Sequence, residues 1–221
     1  MKTIKSQVWY LEMRREWWMD RQLEGSQHAG ESHQTEESQT IEQGPRSPEY
    51  QGNSGLPEGF SAVPLHKPDT STYLELYKSV GSSFNWCDRL LMPKETLEKI
   101  LHSDTTEICL LKYHNEHAGF VEYDKSTPGE TEMVYFGLIE KFTGKKAGYP
   151  FLRWAINHAL EQGHAPEQVY APEHGHASEH GINRLWLHTC DLDHPAALPL
   201  YQKAGFVIYR TETVDQPILE L

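Results

Sequence analysis

Apolar residues recur along this chain at spacings that define ten elements separated by two long polar stretches. Ser6 to Met13, with Val8, Trp9, Tyr10, Leu11 and Met13, predicts a first strand. Tyr73, Leu74, Leu76, Tyr77 and Val80 share one helical face, Asp69 to Ser71 offer N-caps, and Gly81 marks the end. Phe84 to Leu91 is aromatic and is expected to pack beneath the element that follows. Pro93 followed by ETLEKILH predicts a second helix with proline at its start. Glu107–Tyr113 and Ala118–Tyr123 are strands on either side of a turn at Asn115–His117, which makes a hairpin. Glu132 to Ile139 is apolar, β-branched and aromatic, the composition of a buried strand. Phe151, Leu152, Ala155, Ile156 and Ala159 then recur at helical spacing within Tyr149–Leu160. Arg184–Cys190 predicts another strand. Pro195–Ala204 predicts a helix stopped by Gly205, and Phe206–Thr213 a last strand. The pattern alone gives the order β, α, α, β, β, β, α, β, α, β.

Two stretches fall outside this pattern. Asp20 to Gly59 is rich in Gln, Glu, Ser, Gly, His and Pro, and cannot bury enough surface to offset the entropy of ordering it. It reads as a disordered or loosely ordered insertion. His164 to Asn183 is rich in Ala, Pro, Glu, His and Gly and reads as a His-rich surface insertion. The domain expectation is a first strand within 1–19, an insertion over 20–59, and the main domain over 60–221, with the second insertion at 164–183.

Composition narrows the function. A net charge of −12 argues against a protein that tracks nucleic-acid phosphates. No apolar run is long enough for a membrane helix, and the first residues lack the apolar centre of a signal peptide, so neither a membrane partner nor export is expected. Cys87, Cys109 and Cys190 are widely spaced and lack CxxC, which suits a reducing cytoplasm and predicts no cysteine metal site. His174, His176 and His180 lie among Glu173 and Glu179, but a polar insertion supplies no second layer of groups to hold such ligands in place, so no metal is expected.

Between the central strand and the next helix, Glu140–Gly148 carries Gly144, Gly148, Lys145 and Lys146. Strand, glycine-bearing loop and helix form an arrangement that binds phosphates: the first helical turn has unpaired N–H groups and the positive end of the dipole. Neither GxGxxG nor GxxxxGK[ST] is present, which sets aside the dinucleotide and P-loop patterns. The six residues Thr143, Gly144, Lys145, Lys146, Ala147 and Gly148 resemble motif A, [Q/R]-x-x-G-x-[G/A], of the GNAT superfamily of acetyl-CoA-dependent N-acetyltransferases. Thr143 stands where that family has Gln or Arg, and Lys146 where it has Gly. About fifty residues on, DHPAALPLYQKAGF (Asp193–Phe206) resembles the family's closing element, N-x-x-A-x-x-L-Y-x-[KR]-x-G-F. Ala197, Leu200, Tyr201, Lys203, Gly205 and Phe206 fall in register, and His194 replaces Asn. The resemblance covers roughly Tyr73 to Thr213.

The resemblance implies an α+β fold with a mixed, mostly antiparallel sheet and helices on both faces. It also implies an enzyme that moves an acetyl group from acetyl-CoA directly to a primary amine of a small molecule or peptide. Backbone amides of Thr143–Gly148 would hold the pyrophosphate, and free backbone groups near Phe136 and Leu138 would pair with the pantetheine amides. Glu132, eleven residues before Thr143, is the candidate base, with Glu122 in reserve. Tyr201 is the candidate acid for the leaving thiolate. His194 caps its helix or takes over the Asn contact with the cofactor. Each has a plainer role too: a strand-start glutamate, a buried helix tyrosine, a cap. Cys190 invites an acyl-cysteine route, but no His/Asp arrangement supports one. A homodimer is compatible with the family. Two rivals are a non-catalytic acyl-CoA-binding module of the same fold and an interaction protein that uses the acidic 20–59 segment.

Overall fold

Strand β3 (Thr106–Tyr113) sorts its side chains by the twofold period of an extended chain. Ile108 and Leu110 enter one apolar cluster, Cys109 and Leu111 a second on the opposite face. A sheet that is apolar on both faces must be covered on both. The computed structural model, which describes residues 2–27, 55–161 and 182–218, shows how this is done.

Among the described residues there are seven strands: β1 (Thr3–Arg14), β2 (Phe60–Pro64), β3, β4 (Glu116–Asp124), β5 (Glu130–Leu138), β6 (Arg184–Cys190) and β7 (Val207–Pro217). They form one sheet in the order β2-β3-β4-β5-β6-β1-β7. Neighbours run antiparallel except β5 and β6, which run parallel. Helices α2 (Thr70–Gly81) and α4 (Lys94–Leu101) cover one face, burying Tyr73, Leu76, Tyr77, Val80, Leu97 and Leu101 against Ile108, Leu110 and Phe120. Helices α5 (Gly148–Glu161) and α6 (Ala197–Ala204) cover the other with Phe151, Leu152, Ile156, Leu160, Tyr201 and Ala204. The expected α+β architecture with helices on both faces is what the chain adopts. Asp69 caps α2, accepting the Thr72 N–H at 2.9 Å. Among the described residues, no helix is long and apolar enough to cross a membrane.

Three features depart from the pattern. Strand β1 lies between β6 and β7 and is antiparallel to both, so β6 and β7 run parallel with α6 crossing between them. Strand β2 was not predicted. It is short, ends in Pro64 and pairs only with β3, as suits a sheet edge, and its signal reduces to the buried pair Phe60 and Ala62. Helix α1 (Arg15–Gln27) runs past the boundary expected at residue 20. Its sequence has no apolar stripe and it is tied down locally: Trp18 packs on the α5-side core and its Nε1–H donates to Asn157 Oδ1 at 3.0 Å. The rest of the 20–59 insertion up to residue 54, and all but the last two residues of the 164–183 insertion, lie outside the described residues. A one-turn helix, α3 (Asp88–Leu91), completes the α2–α4 connection.

Helix α2 approaches β5 closely at Gly137, where a Cβ would lie 2.4 Å from Val80 Cγ1. Gly137→Ala is therefore expected to cost about 1–3 kcal/mol through overpacking. Urea unfolding should show a lower midpoint, and combining it with Val80→Ala should cost less than the two single losses added together.

Candidate active site

The site starts from a break in the sheet. Strand β5 is held by β4 from Glu132↔Asp124 to Leu138↔Gly119, and β6 is held by β1 from Arg184↔Arg14 to Cys190↔Val8. Between β5 and β6 only Glu130↔Arg184, Thr131↔Leu185 and Glu132↔Trp186 pair. Beyond Glu132 that edge of β5 has no strand partner among the described residues, and Val134 to Leu138 are all half-buried. Phe136 and Leu138, the expected pantetheine-pairing positions, lie on this unpaired stretch. A β-bulge in the β4–β5 ladder leaves Val134 unpaired. Tyr135 packs against Tyr77 and Trp86 on the α2 side, whereas Phe136 stacks on Phe151 of α5 at 5.1 Å.

The loop after β5 begins with a 3-10 turn at Glu140–Phe142. Thr143 gives both its N–H (2.9 Å) and its hydroxyl (2.7 Å) to the Glu140 carbonyl. This corrects one expectation: the Thr143 amide is already engaged, so it does not belong to the anion cradle. Gly144 and Lys146 take left-handed backbone, with φ of 76° and 60°. Lys146 thus holds a conformation that favours glycine, at a cost of about 1 kcal/mol. From Gly144 to Tyr149 no backbone N–H finds an acceptor among the described residues. They gather at the N-terminus of α5, where the dipole favours an anion and Ala147 is buried beneath the turn. Gly148 opens the helix. Lys145 lies over the Tyr113 ring at 5.1 Å, and Lys203 over the Tyr149 ring at 4.7 Å. Lys203 therefore brings a cation from α6 to the start of α5, a role that its place in the motif did not reveal.

Tyr201 is 8% exposed and contacts Phe136 edge-on at 6.3 Å, beside the unpaired edge of β5. Burial, with the nearby Asp193 carboxylate, pushes its phenol well above the usual tyrosine value, so it stays protonated at neutral pH. Asp193 was not singled out from the sequence. It accepts from Thr189 Oγ1 (2.7 Å), the Cys190 N–H (3.0 Å) and Trp86 Nε1 (3.1 Å), and so fixes the turn from β6 into α6. His194 lies two residues before Ala196, the N-cap of α6: its Nδ1 accepts the Ala196 N–H at 3.0 Å, and its ring meets Phe84. Burial, then Asp193, raises the Cys190 thiol, which disfavours the thiolate that an acyl-cysteine route needs.

Glu132 ends the paired part of β5. Its Oε1 lies 3.3 Å from His188 Nδ1, which is on the partly exposed face of β6. Glu122, the reserve base, is corrected: it is 1% exposed, pairs with Arg89 at 2.5 Å and accepts from Tyr73 at 2.5 Å, so it is a buried structural anion. Glu132 and Glu122 line a cavity of about 380 Å³ on the α4 side with Arg89, Lys99, Asp124 and Val134. Arg89 Nε is buried there without a partner. The two candidate catalytic groups thus lie on opposite sides of β5: Glu132 on the cavity side, and Tyr201 on the α5 side near the amide cradle.

No protein-family model matches the sequence, and no curated protein matches it. Solved structures do. A functionally unknown conserved protein from Staphylococcus epidermidis superposes with a TM-score of 0.54 at 10% identity, over 96% of this chain and 61% of the other. A GCN5-related N-acetyltransferase from Sphaerobacter thermophilus superposes with a TM-score of 0.51 at 12% identity, over 100% of this chain and 55% of the other. The fold is the GNAT fold. The chain thus spans only 61% and 55% of the lengths of these two proteins, and at such identities the likeness extends to architecture alone.

The Glu132–His188 pair gives a pH-dependent signature. The hydrogen bond that the His188 ring donates to Glu132, strengthened by the carboxylate's charge, raises the His188 pKa above the ordinary value of about 6.5. A raised folded-state value means that the stabilisation is fully present below the ordinary value and is lost as pH rises through the raised one. NMR titration of His188 should show a midpoint above that of a free imidazole, and Glu132→Gln should move it back down.

Proposed function

We propose that this protein is an N-acetyltransferase that carries an acetyl group from acetyl-CoA directly to a primary amine of a small molecule or peptide. The observation that carries this reading is the coincidence of the unpaired β5 edge with six backbone amides, Gly144 to Tyr149, at one end of α5. The amides suit a pyrophosphate, and Lys203 and Lys146 add positive charge around it. The β5 edge beyond Glu132 offers backbone donors and acceptors to an extended, amide-bearing chain. The thioester supplies the acetyl group.

The other roles fall to this chain. Tyr201 holds a proton on its Oη for the departing sulfur. Glu132 accepts the proton that the amine gives up, directly or through one water, from the cavity side. Arg89 pairs with Glu122, and Lys99 offsets one of Asp124 and Glu132, so the lining keeps one net negative charge, which suits a cationic amine. The two reactants enter from the two sides of β5 and meet at its open edge beyond Glu132, since direct transfer requires the amine to reach the thioester carbonyl. A non-catalytic acyl-CoA-binding module is the second reading. It draws on Lys146, whose side chain stands where the family keeps glycine, and on Glu132 being engaged by His188.

Saturating acetyl-CoA is expected to raise the melting temperature, since ligand at about 100 times its Kd adds about 2.7 kcal/mol to native-state stability. Gly144→Asp should lose that shift by repelling phosphate. Gly144→Asn, which tolerates the same left-handed backbone without the charge, should keep most of it. If Asp and Asn behave alike, the amide cradle is not the anion site. For the chemistry, Tyr201→Phe should reduce kcat by about 10²-fold while acetyl-CoA still raises the melting temperature. Wild-type kcat in that variant would leave the tyrosine as packing. No thiol release by the wild-type protein across a panel of cationic amines would favour the binding module.

A further inference from the structure

The α5 face of β3 carries a second cluster, made of residues that have no role in the site above. Glu107 and Cys109 are two residues apart on β3 and project to the same face. His158, in the last turn of α5, lies over them. Its Nε2 is 2.6 Å from Glu107 Oε1 and 3.8 Å from Cys109 Sγ, and Cys109 Sγ is 3.8 Å from the same Glu107 oxygen. Sulfur, nitrogen and oxygen donors thus meet in one triangle.

A tetrahedral zinc ion has bonds of about 2.3 Å to sulfur and about 2.0 Å to nitrogen and oxygen. It therefore holds sulfur about 3.5 Å from each of the other donors, and nitrogen about 3.3 Å from oxygen. The two sulfur edges of this triangle are already close to those lengths. The nitrogen–oxygen edge is at hydrogen-bond length and needs to open by about 0.7 Å. The surroundings hold the ligands in place. The His158 ring stacks on Trp154 at 4.8 Å and lies 6.0 Å from Tyr123. The second oxygen of Glu107 is taken by Lys125, leaving Oε1 turned toward the triangle. Outer-shell contacts of this kind are what orient metal ligands. Cys109 is fully buried, but the Glu107 and His158 side chains are 22% and 10% exposed, which gives an ion a way in. A thiolate among the donors disfavours magnesium and calcium, and the mixed S/N/O set suits zinc.

We propose that Glu107, Cys109 and His158 form a divalent transition-metal site, with zinc as the natural ion, that ties the end of α5 to β3. Binding displaces two protons in exchange for metal bonds: the Cys109 thiol proton, released to solvent, and the proton between His158 Nε2 and Glu107 Oε1, which moves to His158 Nδ1 or to solvent. The fourth tetrahedral position falls to water or to a further donor.

Cobalt tests this, because a thiolate bound to Co²⁺ gives a near-ultraviolet charge-transfer band. The full chain, stripped with chelator, loaded with Co²⁺ and dialysed, is expected to show the band at one ion per chain. Cys109→Ser and His158→Gln should each abolish it, while Cys87→Ser and Cys190→Ser keep it. Zinc should raise the melting temperature of the wild type and not of the first two variants. Cobalt retained without the band would overturn the proposal. So would a band that survives Cys109→Ser, or one that disappears only when His174, His176 and His180 are replaced. Should Cys109→Ser fail to fold, His158→Gln decides by the same two measurements.

Discussion

Three residue pairs of parallel ladder hold the two halves of this sheet together. The site depends on their being so few. β5 belongs to the β2–β4 half, and β6 to the half it forms with β1 and β7. A longer ladder would satisfy the backbone groups of β5 and leave nothing for a ligand; none at all would leave the halves joined only by helix packing. Ending at Glu132↔Trp186 leaves a wedge along the stretch of β5 that leads toward the N-terminus of α5, where no ladder joins it to β6. The bulge at Val134 belongs to the same geometry, because an extra residue bends the strand away. Exposed strand edges invite unwanted pairing, and proteins ordinarily cover them. The one left unpaired in mid-sheet here is the edge that the proposed extended ligand would pair with.

Beneath the wedge, electrostatics is divided by side. On the α5 side the chain gathers unpaired amides and lysines. On the α4 side it gathers carboxylates, with the Arg89–Glu122 pair set into the floor and Tyr73 donating to the same carboxylate. Such a pair adds little net stability, because desolvation offsets attraction, yet removing one partner strands a buried charge at a cost of about 3–5 kcal/mol. Glu122 therefore shapes the cavity floor, whereas Glu132 lies against the partly exposed His188. The GNAT likeness accounts for the architecture. The proposed chemistry rests on this chain's own residues, because fold alone assigns no reaction.

Much of the fold was legible because it is written in local periodicity. The helices at 70–81 and 148–161, the hairpin of β3 and β4, and the strands at 130–138 and 184–190 each carry their own apolar period. So did the anion loop, since Gly144, Gly148 and the helix that follows are contiguous, and Tyr201 and Gly205 fall within one short motif. Lys146 was legible as a departure from the family pattern, but its left-handed φ was not. Helix α1 and strand β2 escaped because their packing comes from Trp18, Phe60 and Ala62 meeting residues far away in sequence.

What the sequence by itself determined is therefore most of the elements, with the positions of Gly144, Gly148 and Tyr201 on them, all properties of neighbours along the chain. Only the tertiary structure decided which strands pair. It placed β1 between β6 and β7, ended the β5–β6 ladder at Glu132, engaged the Thr143 amide, and sank Glu122 into an ion pair with Arg89. It also brought Glu107, Cys109 and His158 together, although about fifty residues separate the histidine from the other two. The physical reason is common to all of these. Periodicity records which face of an element is buried, but not which distant element covers it, and ion pairs, ladder ends and ligand clusters form between elements.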